Sequence, residues 1–206
     1  MKKIKKLVVA TRNKAKAQEW DMLLKLFLPT VNVVSLSEFD DVSDPEETGK
    51  TFQENADLKA SYYAKKIGEF AFADDGGYEI TALGGAPGVR SRRIKPDGSE
   101  GTDEEIIEWV LSSLTASGSN DRSASLTSAI SLSDPDGNII YRDIASFKGM
   151  ILEKPGPIMM EGYPFRSIHY IPELGKTYAE MTHEEHEKHS HKRKMGKKMA
   201  DFLKNI

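Results

Sequence analysis

A chain of 206 residues, 38% apolar and 30% charged, can bury a proper core and is too apolar for a disordered segment. It has no cysteine, which excludes a disulfide framework, a thiol nucleophile and a thiolate metal site and fits a cytoplasmic protein. No apolar run approaches a membrane span, and the one after the basic start "MKKIKK" is too short for a signal peptide and reads as a first strand. The net charge of -3 is unevenly spread. Lys2, Lys3, Lys5, Lys6, Arg12, Lys14 and Lys16 make one end basic, Lys188 to Lys198 the other, and the segment from Asp40 to Asp57 is acidic. Lysines facing carboxylates would suit a polyanion bound with a divalent cation; ordinary solvated surface gives the same composition.

In chain order, "KLVVAT" predicts a buried strand and "RNK" a turn. From Lys14 a helix follows, marked by Trp20, Leu23, Leu24 and Phe27. "VNVVSL" is a second strand, and an acidic loop leads to a helix carrying Phe52, Ala56, Ala60 and Tyr63 that ends near Gly68. "EFAFA" is a strand running into Asp74 and Asp75, where Gly76 and Gly77 predict a tight turn with positive φ. Thr102 and Glu105 form a capping box ahead of an amphipathic helix. "ASLTSAISL" and "IIYRDIASFKG" flank "SDPDGN" as a hairpin. Thr182 and Glu185 cap a last helix that carries the basic tail. The order predicts an α/β fold, a mixed long central sheet with flanking helices, over residues 1–206 as one domain with no separate linker.

Three segments hold chemistry-bearing residues. "TRNKAK", residues 11–16, joins a strand to a helix, where free N–H groups and the helix dipole attract anions; taken alone, a plain helix cap is preferred. "EETGKTFQENADLKA", residues 46–60, offers Glu46, Glu47 and Glu54 as oxygen ligands and Lys59 as a cation, against a solvated acidic helix start. The paired Asp74 and Asp75 would repel one another unless a cation or proton relieves them, and a Mg²⁺ site needs few protein carboxylates. An Asp-Gly turn is the equal alternative there. His183, His186, His189 and His191 lack the spacing of a zinc protease helix; the first three share a face that allows weak surface binding of metal, and for His183 and His189 a solvated face is preferred. No nucleic-acid motif accompanies the basic tail.

Together, "VVATRNKAK", "EETGKTFQENADLKA", "ADDGGYEITALGGAPGV", "YIPELGKTYAEM" and "SHK" resemble the inosine triphosphate pyrophosphatase family. The resemblance covers the chain from first strand to last helix. It implies two lobes with a cleft between them, a homodimer, Mg²⁺, and hydrolysis of ITP, dITP and XTP to the monophosphate and pyrophosphate, clearing the nucleotide pool. It assigns Thr11, Asn13, Lys16 and Lys59 to the substrate phosphates and Glu46, Asp74 and Asp75 to metal. It also makes Asp75 the general base.

The departures from the family's pattern fall on the base-binding side. The resemblance places Gly76, Phe165, Arg166, His186, His191 and Lys192 there. Gly76 replaces the family's usual serine, Arg166 an aspartate, and Lys192 the arginine of "SHR", keeping charge but losing the planar fork. Phe165 remains as an aromatic for base stacking. Arg166, if buried, would invert a hydrogen-bond preference; if solvent-facing, it leaves the base to be read elsewhere. A pyrophosphatase of shifted base specificity, a non-catalytic nucleotide-binding relative and a Maf-type hydrolase are the alternatives.

Overall fold

The computed structural model describes residues 4–39 and 42–205; Lys2, Lys3 and Asp40 of the charged segments lie outside the described residues. The elements are β1 (Lys6–Val9), α1 (Lys14–Phe27), β2 (Asn32–Ser35), α2 (Phe52–Ile67), β3 (Phe70–Ile80), α3 (Asp103–Ala116), β4 (Ser123–Ser133), β5 (Ile139–Ile151), β6 (His169–Ile171), β7 (Lys176–Thr177), α4 (His183–His189) and α5 (His191–Lys204). The strands hydrogen-bond in the order β2-β1-β3-β4-β5-β6-β7. β1 runs parallel to β2 and β3, while β6 is antiparallel to β5 and β7, so the expected mixed sheet is present. Among the described residues no helix is long and apolar enough to cross a membrane.

The chain divides into two compact units. The first holds Met1–Asp75, Ser128–Ala145 and His191–Ile206; the second holds Gly76–Thr127 and Ser146–Ser190. The chain changes unit within β3, β4 and β5 and again between α4 and α5.

In the first unit the period of two along each strand sorts side chains onto two faces. Leu7, Val9 and Phe72 join Trp20 and Leu24 of α1 and Met195, Met199 and Leu203 of α5 in one apolar cluster. Val8, Ala71 and Ala73 join Ala60, Tyr63 and Ala64 of α2 in another. Strands buried on both faces read as near-continuous apolar runs, which is how "KLVV" and "FAFA" read. Gly196 lets α5 approach α1: a Cβ there would lie 3.2 Å from Trp20 Cζ3. Asn13 caps α1, and Thr51 with Glu54 forms a capping box on α2, which ends at Gly68 with φ 73°.

In the second unit α3, started by the Thr102–Glu105 capping box, buries Ile106, Ile107, Val110 and Leu114 against Tyr78, Ile80, Ile151, Phe165 and Ile168. His169 is fully buried, with Nδ1 3.1 Å from Tyr78 Oη.

Two expectations are corrected. Gly76 and Gly77 do not turn the chain: β3 continues to Ile80 and neither glycine has a positive φ. Gly77 is needed for space instead, since a Cβ there would stand 2.2 Å from Ser91 Oγ and 2.8 Å from the Gly88 carbonyl oxygen. Ser91 Oγ cannot give way freely, because it accepts from the Tyr78 N–H at 2.8 Å and donates to Gly88 O at 2.6 Å. The last helix is two helices. α4 ends at Ser190, whose ψ of 121° leaves the helical region, and α5 starts afresh at His191.

Two stability effects follow. Burial holds the His169 imidazole down at about 4, against an ordinary 6.5, so between those values the unfolded chain binds the extra proton. This contribution is complete above about pH 6.5 and is lost as the pH falls towards 4, amounting to roughly 3 kcal/mol. Urea unfolding of the wild type and His169→Gln across this range should give curves that converge towards pH 4; a constant separation would contradict the assignment. Gly77→Ala should cost on the order of 2 to 3 kcal/mol in the same assay through overpacking, and Ser91→Gly in that background should recover part of the loss.

Candidate active site

The first unit gathers its charged side chains around Asp74 and Asp75, and the pleat of β3 decides how. Adjacent strand residues point to opposite faces. Asp74 takes the face of Phe72, towards α1 and α5; Asp75 takes the face of Ala73, towards α2. The two carboxylates therefore do not crowd one another, and each meets its own cations.

Asp74 is 1% exposed. Its Oδ2 lies 3.4 Å from Lys16 Nζ and 3.1 Å from Lys192 Nζ. Lys192 Nζ also donates to Glu19 Oε2 at 3.0 Å and stands over the Trp20 ring. Burial alone would raise the Asp74 carboxyl, but the Lys16 and Lys192 ammonium groups outweigh it and hold the acid far below the ordinary carboxylate range. Burial pulls Lys16 below its ordinary value, opposed by Asp74 and Asp75 and reinforced by Lys192 and Lys59. A lysine in that position gains from an added anion.

Asp75 receives one donor on each oxygen. Lys59 Nζ lies 2.7 Å from Oδ1, and Asn55 Nδ2 donates to Oδ2 at 3.3 Å. Lys59 also pairs with Glu47 Oε1 at 3.1 Å. Burial pushes Lys59 down, yet Asp75 and Glu47 together raise it above its ordinary value, so it stays an ammonium.

The "TRNKAK" segment is a helix cap in its own right. Asn13 Oδ1 accepts from the Lys16 N–H at 3.0 Å, and Thr11 Oγ1 accepts from the Asn13 N–H at 3.2 Å. This leaves the Asn13 amide NH₂ as a donor beside Lys16. Arg12 donates to Asp44 Oδ1 at 2.8 Å and to the Val42 carbonyl, and Tyr63 donates to the same Asp44 oxygen, tying this segment to the acidic loop.

The expected metal trio does not gather. Among the described residues no three His, Cys, Asp or Glu side chains are placed to hold a metal ion together. Glu46 is exposed, and its neighbour Glu47 reaches Lys59 instead. Lysines supply the countercharge of Asp74 and Asp75. Asp74 Oδ1 nevertheless is buried and accepts no close hydrogen bond among the described residues, although the Trp20 N–H helps to hold the carboxyl down. An acceptor left in that state suits a cation that takes few protein ligands.

The residues assigned to the base divide between the units. His191 and Lys192 belong to the first, where Lys192 serves Asp74. Gly76, Phe165, Arg166 and His186 belong to the second. There Phe165 is buried and stacked on Tyr78, with ring centroids 4.7 Å apart and planes at 17°. Arg166 is 6% exposed, its guanidinium 3.6 Å from the centre of the Tyr163 ring and 5.1 Å from that of Tyr178, which overturns the solvent-facing alternative. His186 sets its ring against Tyr178 at 5.2 Å.

Sequence reasoning passed over Glu19, Trp20 and Asn55 as parts of this site. Two had a signal. Asn55 precedes Lys59 by four positions and Glu19 follows Lys16 by three, so each shares a helix face with a lysine already singled out.

The Ham1 family model matches residues 7–202. A dITP/XTP pyrophosphatase of Desulfotalea psychrophila is 37% identical over 95% of this chain and 82% of its own length. One from Thermus thermophilus is 37% identical over 97% and 92%. The solved structure of a HAM1 protein from Coxiella burnetii superposes with a TM-score of 0.83 at 34% identity, covering 98% of this chain and all of that one. With nearly its whole length matched in sequence and in structure, the chain belongs to the Ham1 family.

Proposed function

We propose that this protein is a Mg²⁺-dependent nucleoside triphosphate pyrophosphatase, a hydrolase that cleaves non-canonical purine nucleotides such as ITP, dITP and XTP between the α- and β-phosphates. One observation carries the reading. Two aspartates on opposite pleats of β3 are each met by lysines, with Lys16 and Lys192 on Asp74 and Lys59 on Asp75. A cluster of buried ammonium groups interleaved with acids suits a polyphosphate. Relatives named dITP/XTP pyrophosphatase suggest the substrate.

In this reading Thr11, the Asn13 NH₂, Lys16 and Lys59 hold the phosphates. The resemblance makes Asp75 the base, and with its side chain 13% exposed against 1% for Asp74 it is the acid a water reaches more readily. Asp75 takes a proton from a water as its oxygen bonds to the α-phosphorus. The bond from that phosphorus to the bridging oxygen breaks, and pyrophosphate leaves with its charge met by the lysines. The resemblance gives Mg²⁺ to Glu46, Asp74 and Asp75; as they stand apart here, the Oδ1 of Asp74 is the protein oxygen that would hold it, beside the substrate's own phosphates. When bound, the ion offsets phosphate charge and acidifies water.

The remaining parts of the reading rest on the resemblance and the composition. Residues 1–206 act as one pyrophosphatase domain, as a homodimer, in the cytoplasm. Buried Arg166 favours a base edge rich in acceptors, the functional counterpart of its replacing a family aspartate.

The test is pyrophosphate release from ITP, XTP, dITP, GTP and ATP, with and without Mg²⁺. Release should depend on Mg²⁺, favour the deaminated purines, and fall by about 10² to 10⁴ in kcat for Asp75→Asn. Tight nucleotide binding without release, or full activity in Asp75→Asn, would overturn the reading.

A further inference from the structure

Asn55 is 2% exposed and lies on the first turns of α2, one turn before Lys59. Both ends of its amide are engaged. Oδ1 accepts from the Gly49 N–H at 2.8 Å, and Nδ2 donates to Asp75 Oδ2 at 3.3 Å. The amide's direction is fixed by chemistry: a backbone N–H can only donate, so the oxygen must face Gly49 and the NH₂ must face the carboxylate.

The contact with Gly49 is close. A Cβ on Gly49 would stand 2.5 Å from Asn55 Oδ1 and 2.8 Å from its backbone nitrogen. Glycine is what allows the loop carrying Glu46 and Glu47 to dock against the start of α2. Asp75 is then held at two points from a single helix face, with Lys59 on Oδ1 and Asn55 on Oδ2. One donor alone would leave the carboxylate free to rotate about its last bond. Two donors fix its plane, and with it the direction of the lone pair that would meet a water's proton.

We propose that Asn55 is a positioning residue that fixes the plane of the Asp75 carboxylate and couples it to the Glu46–Gly49 loop. This rests on the pyrophosphatase reading for its catalytic half only. Asn55 touches no substrate phosphate in this scheme. It sets the orientation of the base rather than the affinity for the nucleotide, so its loss falls on kcat.

Two variants separate the two hydrogen bonds. Asn55→Asp keeps an acceptor for the Gly49 N–H but removes the donor to Asp75 and faces it with a like charge. Asn55→Ala removes both. With ITP and Mg²⁺, kcat should fall roughly 10- to 100-fold in each variant, with KM within about threefold. In an Asp75→Asn background Asn55→Ala should cost nothing further, because no base remains to be placed. Hydrogen exchange at the Gly49 amide, read on the folded proteins, should quicken in Asn55→Ala and stay near wild type in Asn55→Asp. Unchanged exchange in Asn55→Ala would overturn the proposal. So would kcat kept within about twofold in Asn55→Asp, or a full additive loss in the Asp75→Asn background. A wild type that releases no pyrophosphate from any nucleotide would instead overturn the pyrophosphatase reading and the catalytic half with it, while exchange would still decide the loop coupling.

Discussion

The pleat of β3 at Asp74 and Asp75 is the constraint from which the charged half of the first unit follows. A strand interior covered on both faces normally carries apolar residues, and β3 obeys this up to Ala73. Two successive carboxylates then break the pattern on both faces at once. Each is costly to desolvate alone, so each face must bring cations from the helices that cover it. α1 and α5 bring Lys16 and Lys192 to one side, and α2 brings Lys59 to the other. The placing of three helices is thus tied to one dipeptide.

The same arrangement explains the second ring of partners. Lys192 would be overdriven towards Asp74 alone; Glu19 shares it at 3.0 Å. Lys59 likewise bridges Asp75 and Glu47. These are networks in which every ammonium has more than one acceptor, the condition under which buried charge is tolerable. Lys16 is the exception, a partly buried ammonium that desolvation pulls down against the nearby Asp74 and Asp75. Its position on the turn after the N-cap of α1, where free N–H groups also gather, makes it the point at which an added anion relieves most strain.

Much of this was legible in the sequence, because helix and strand periods and capping boxes are local signals. Thr51 with Glu54, Thr102 with Glu105, and Gly68 at a helix end act through neighbours a few residues away. The failures came where distant contacts override local chemistry. "DDGG" has turn composition, yet β3 runs straight through it because Gly77 is kept bare by Ser91 and Gly88. Ser190 splits the last helix without glycine or proline to announce it. Glu46 and Glu47 are adjacent and chemically alike, so only the path of the loop can say which one meets Lys59.

Lys192 takes its place in the first unit from its charge and size. The resemblance placed it with the base, as the stand-in for an arginine. In the structure its ammonium is 5.6 Å from the centre of the Trp20 ring and bonded to two carboxylates, and the residue is 5% exposed. A guanidinium would offer a planar fork to such a site; an ammonium is a compact point charge that can sit between Glu19 and Asp74. The lysine therefore fits the acid cluster by charge and size. Arg166 is the opposite case, since its flat guanidinium lies against the Tyr163 ring at 3.6 Å, a stacking that lysine cannot reproduce. The two cations are not interchangeable in this chain. Each stands where the shape of its charge matches what surrounds it.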